Sequence, residues 1–125
     1  MRRWKRSLRL DNKVNTRLYG MLGFAMRAGK VVIGTDSVCV AMAKHGKAKP
    51  RLILISSTAS EGTNKKILCK AEFYGIKVLK TDIDSGELGR LLGKLYAPAT
   101  VAIIDDRFAE EIIQAIESFD SDSAS

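Results

Sequence analysis

RLILI, Arg51 to Ile55, is a continuous apolar run of strand length. A strand with apolar side chains on both faces has to be covered on both, so this run predicts a central strand between two layers of helices. TVAII, Thr100 to Ile104, has the same character, and KVVI, Lys30 to Ile33, and IKVLK, Ile76 to Lys80, supply two further strands. The segments between them have helical spacing. Leu18, Met21, Leu22, Ala25 and Met26 mark one face of a helix that stops before Gly29. A second helix runs from about Asp36 to His45, with Val38, Met42 and His45 on one side and Gly46 closing it. A third, capped by Ser60 or Thr63, carries Ile67, Leu68, Ala71 and Tyr74 and ends at Gly75. Asp84 to Gly93 makes a short helix in which Asp84 and Glu87 are spaced like a capping box. Asp105 or Asp106 caps a last helix whose core face is Phe108, Ile112, Ile113 and Ile116.

Strands alternating with helices of this length predict an α/β/α sandwich. The 125 residues form one domain over 14–118, without internal repeats. Residues 1–13, MRRWKRSLRLDNK, are expected to be a basic, flexible extension, and residues 119–125 a disordered polar tail.

Composition narrows the function. No apolar run approaches the roughly 20 residues of a membrane span, and the basic start lacks the apolar core of a secretion signal. A cytoplasmic location without membrane contact is expected. Cys39 and Cys69 lie alone in apolar stretches and His45 is the only histidine, so no metal site or other cofactor is expected and both cysteines read as small buried residues. Charge is uneven. Residues 1–51 carry 13 Lys and Arg against Asp11 and Asp36, a net of +11, whereas residues 52–125 carry 8 basic and 12 acidic groups, a net of −4. Such asymmetry points to a polyanion engaged by the N-terminal half. Trp4 among the basic residues of MRRWKRSLR suits stacking and phosphate contact, or a solvated extension.

AGKVVIGTDSV, Ala28 to Val38, holds the glycine, lysine and hydroxyl residues of a phosphate loop in the wrong order. A nucleotide-cradling loop needs Lys and Ser/Thr directly after its last Gly, but Lys30 precedes the apolar run and Gly34 is followed by Thr35. No nucleophile and base occur in a recognisable spacing, so neither catalysis nor a small-molecule substrate is expected. What remains is Gly34-Thr35-Asp36-Ser37 at a helix N-terminus. Two readings stay open there: a docking point for an anion or base edge, or a routine cap made by Thr35 or Asp36.

The succession RAGKVVIG, HGKAK, RLILISSTASEGTNKKI, LGRLLGK and VAIIDDRFA resembles the L7Ae and L30e family of ribosomal proteins, and within it the small bacterial YlxQ-like members. The likeness spans about Val14 to Ile116. It implies a three-layer α/β/α sandwich around a mixed four-stranded sheet, and non-catalytic RNA binding in a ribonucleoprotein or translation setting. The RNA implied is structured, a kink-turn or ribosomal RNA, with ribosomal or translation-factor proteins as further partners. By resemblance, Gly34, Thr35, Asp36 and Ser37 meet the base edges of sheared G·A pairs. Leu95, Tyr96, Ala97 and Pro98, in the loop Lys94–Ala99, cover an extruded base, and Lys30, Lys44, Lys47 and Lys49 flank the site. Asp36 and Ser37 stand where strong kink-turn binders of the family have Asn and Glu, and Val40 where they have Lys, with Lys44 one turn on. These departures, with the acidic Glu110, Glu111 and Glu117 of the last helix, leave an alternative: a protein-interaction module on the same fold.

Overall fold

A computed structural model of the chain describes residues 17–124, with side chains to residue 115. The basic extension 1–13 and the side chain of Ile116 lie outside the described residues. Helix α1 covers residues 17–27. It is followed by β1 (Val31–Ile33), α2 (Thr35–Met42), β2 (Leu52–Ile55), α3 (Glu61–Tyr74), β3 (Lys77–Lys80), α4 (Ser85–Leu91), β4 (Thr100–Ile103) and α5 (Asp106–Ala124), with a 3₁₀ turn at Gly46–Ala48. The strands form one mixed sheet in the order β1-β4-β2-β3. β4 pairs antiparallel with both β1 and β2, and β3 pairs parallel with β2.

The two strands read as central, β2 and β4, are wholly buried. Alternation along them divides the core into two halves. Leu52, Leu54, Val101 and Ile103 face Leu18, Leu22 and Ala25 of α1, Leu88 of α4 and Ile112 of α5. Ile53, Ile55 and Ala102 face Val38 and Met42 of α2 and Ile67 and Ala71 of α3. Each fully buried Leu or Ile contributes about 1.5–3 kcal/mol. The fold is therefore the three-layer α/β/α sandwich with a mixed four-stranded sheet. Among the described residues no helix is long and apolar enough to cross a membrane.

The caps resolve the open choices. Ser60 Oγ accepts from Thr63 N–H at 3.1 Å. Asp84 Oδ1 accepts from Glu87 N–H at 2.8 Å, and Asp105 Oδ1 accepts from the amides of Arg107 and Phe108 at 2.9 and 3.2 Å.

Four expectations are corrected. α2 ends at Met42, and His45 is extended and exposed: the Lys44 amide bonds Ala41 O at i−3, closing the helix before the turn that leads to Pro50. On α3 the buried stripe is only Ile67 and Ala71, so Leu68, one residue round the helix, is exposed. The next residue, Cys69, is also exposed and Cys39 only half-buried, against the reading of both as core. Finally α5 continues to Ala124, past residue 118 where a disordered tail was expected. Residues 107–124 contain neither Gly nor Pro, the two residues that interrupt a helix most strongly.

Candidate functional site

At one end of the sheet, β1 hands over to α2, β2 runs out into Ser56, and the loop Lys94–Ala99 enters β4. Gly34 N–H donates to Thr100 O at 2.9 Å, and Ser56 N–H donates to Ala99 O at 2.9 Å. The hydroxyls of Thr35 and Thr100 are 3.1 Å apart. The register of β1 on β4 thus brings Gly34–Ser37 beside the loop 94–99. Gly34 itself is the N-cap of α2, with φ 101° and ψ 144°, and no side chain caps the helix. This corrects the expectation of Thr35 or Asp36 as N-cap. Thr35 turns its hydroxyl to Thr100 instead. Asp36 is 98% exposed, with Oδ1 3.6 Å from Lys66 Nζ of α3. The first amides of α2 and the positive end of its dipole therefore face outward without a side-chain acceptor.

The second segment is set by α4. A Cβ built on Gly89 would lie 2.2 Å from Tyr96 O and 3.1 Å from Pro98 Cδ, so the loop rests directly on the helix backbone. Lys94 N–H donates to Gly89 O at 2.8 Å and fixes the start of the loop. Pro98 is buried and turned inward, so it anchors the loop rather than offering cover. Leu95, fully exposed at 107%, and Tyr96, at 55%, point outward with Ala97. α1 braces the back of α4, where the Tyr19 hydroxyl donates to Glu87 Oε2 at 3.3 Å. Burial and the neighbouring Glu87 carboxylate raise the Tyr19 phenol above its ordinary value, so this brace is present below about pH 10 and is lost only as pH rises through the elevated pKa.

The four lysines expected around the site separate. Lys44 lines a groove of about 350 Å3 with Val32, Asp36, Ser37, Val40 and Ala41, on the face of α2 that continues from its N-terminus. Lys30 stands at the other end of β1, about 13 Å from Gly34 at the rise of an extended strand. Lys47 shares that far edge. Lys49 donates to Tyr74 O at 3.1 Å and lies 6.0 Å over the Tyr74 ring, held at the end of α3. A residue that sequence reasoning missed joins the site: Lys66, thirty positions from Asp36, reaches it only through the packing of α2 on α3.

The two segments meet at one end of the strands of a three-layer sandwich, and both the chain and its fold compare with known proteins. A family model described as "Ribosomal protein L7Ae/L30e/S12e/Gadd45 family" matches residues 16–113. The chain belongs to this family. RNA-binding protein YlxQ of Bacillus subtilis is 34% identical over 99 residues, covering 79% of this chain and 94% of that protein. The large ribosomal subunit protein eL30 of Sulfurisphaera tokodaii is 36% identical over 90 residues, 70% of this chain and 82% of its own length. Among solved structures, a 15.5 kD RNA binding protein of Giardia lamblia superposes with a TM-score of 0.67 over 87% of this chain and 89% of its own, at 12% identity, a likeness of fold. The family match contains both segments of the site, Gly34–Ser37 and Lys94–Ala99.

Proposed function

We propose that this protein binds structured RNA without catalysis, that the RNA is a kink-turn, and that it acts in the cytoplasm in a ribosomal or translation setting. The observation that carries the reading is the Gly34–Thr100 hydrogen bond, which sets uncapped helix amides beside the exposed Leu95 and Tyr96. Amides at a helix end suit base edges and phosphate oxygens, and an exposed aliphatic and aromatic pair suits a base pulled out of its stack. Irregular RNA exposes such edges and bases, whereas a regular A-form helix hides them. The names of the bacterial and archaeal relatives support the same class of partner.

The test is a calorimetric or gel-shift titration against a kink-turn RNA and a control lacking its G·A pairs. Binding to the kink-turn at least about tenfold tighter is expected, since each good base contact contributes about 1–3 kcal/mol. Equal affinity for both RNAs overturns the kink-turn part. Absence of binding to either at low salt overturns the RNA reading and favours the protein-interaction module.

Asp36 tunes this site. A carboxylate about 4 Å from a phosphate costs roughly 1 kcal/mol in water and up to about 4 at an effective dielectric of 20. Lys66 offsets part of that repulsion. Asp36→Asn is therefore expected to raise kink-turn affinity several-fold. Stability should hold within about 0.5 kcal/mol, because an exposed ion pair contributes little. Weaker binding by the Asn variant in the same titration would show that the carboxylate accepts a hydrogen bond from the RNA.

A further inference from the structure

The sheet edge opposite the α2 N-terminus gathers cations from four separate segments. Lys30 at the foot of β1, Lys47 in the 3₁₀ turn, Arg51 ahead of β2 and Arg107 in the first turn of α5 line a hollow of about 410 Å3 with Ile104, Asp105 and Asp106. Backbone register assembles it: Arg51 N–H donates to Ile103 O at 2.7 Å, and Ile104 N–H donates to Lys30 O at 3.0 Å. Each carboxylate has one oxygen engaged within the fold, and four cations against two carboxylates leave the hollow a net charge of +2. Asp105 Oδ1 accepts the amides of Arg107 and Phe108. Asp106 Oδ1 lies 3.1 Å from Arg51 Nε, and Arg51 also donates to Gly46 O at 3.2 Å. Lys30, Lys47 and Arg107 are exposed, and among the described residues none of the three forms an ion pair.

The hollow therefore offers three uncommitted cations. Its one apolar lining residue is Ile104 and it holds no aromatic ring. Without an aromatic ring the hollow has no apolar platform for a base, and exposed Lys and Arg heads suit the phosphate oxygens that a regular A-form stem presents while it hides its base edges. Lys30, Lys47 and Arg51 also belong to the half of the chain that carries the net +11.

We propose that this edge is a second RNA contact, one that holds the phosphate backbone of a double-stranded stem without reading its sequence. The proposal rests on the RNA-binding reading but not on its kink-turn part. The two edges lie at opposite ends of strands only three or four residues long. One molecule can thus engage a bent internal loop at one edge and a second helical segment at the other.

The experiment uses the full chain and the triple variant Lys30→Gln, Lys47→Gln, Arg107→Gln. Each is titrated by fluorescence anisotropy against an RNA duplex of about 16 base pairs with no internal loop, the length that a double-stranded-RNA module spans. The full chain is expected to bind the duplex at low salt. The variant should bind roughly tenfold more weakly, with a salt slope smaller by about 2–3, one step per lost phosphate contact. Its melting temperature and its affinity for a kink-turn RNA with short stems should be unchanged. A full chain that does not bind the duplex, or a variant with the same affinity and slope, overturns the proposal. Displacement of the duplex by charge-matched poly-glutamate as readily as by unlabelled duplex overturns the assignment of RNA as the partner. Because the duplex has no internal loop, its result is readable whether or not the kink-turn control discriminates.

Discussion

Gly89→Ala is expected to lower the melting temperature by about 4–10 °C and to weaken RNA binding by at least about tenfold. The new methyl would sit 2.2 Å from Tyr96 O, a distance that no side-chain rotation relieves because the obstructing atom is backbone. Either α4 withdraws from the sheet, exposing Leu88 and Leu92, or the loop lifts off the helix. Lifting it breaks the Lys94–Gly89 hydrogen bond and unseats Pro98, and Leu95 and Tyr96 move with it. Overpacking of this kind costs about 1–3 kcal/mol. Thermal unfolding followed by circular dichroism reads the first effect, and titration against kink-turn RNA reads the second. A variant that melts and binds like the parent would show that the loop is not seated on Gly89 in solution.

The sheet was legible in the sequence because burial leaves a mark there. Every covered position of RLILI is apolar, as is every one of TVAII except Thr100, whose hydroxyl is met by Thr35, and both are the central strands. Asp84 was legible as a cap, and Ser60 and Asp105 each as one of two candidates, because capping is local chemistry, confined to three residues. The site was less so. Its boundary is set by which end of each strand a residue occupies and how neighbouring strands run. Lys30 precedes Gly34 by four positions in sequence, yet those positions are a strand, and its rise carries the ammonium group to the far edge. Asp36 and Lys66 meet only through helix packing, which leaves no local pattern. Leu68 was misplaced because helical spacing marks an apolar residue without fixing how wide a stripe the sheet covers. Pro98 was grouped with Leu95 and Tyr96 by resemblance, whereas its ring packs inward over Gly89.

Gly34→Ala is expected to cost about 1–3 kcal/mol of stability and most of the RNA affinity, by a different route from Gly89. A Cβ at Gly34 meets nothing within 4 Å, so no clash contributes. The cost lies in the backbone, since φ 101° with ψ 144° is a conformation that essentially only glycine adopts. Relief requires φ to become negative, which swings the start of α2 away from β4. The Gly34–Thr100 and Val38–Gly34 hydrogen bonds, both 2.9 Å, cannot then be kept together. Uncapped amides and loop would no longer face the same RNA. The two glycines therefore predict different size dependence. At position 34, Ala and the longer unbranched Gln should destabilise equally, because open space accepts either side chain. At position 89 the loss should grow from Ala to Gln as more atoms press on the Tyr96 carbonyl. Melting temperatures of the four variants measure both trends. A loss that increases with side-chain size at Gly34 would mean that packing, not backbone handedness, fixes the start of α2.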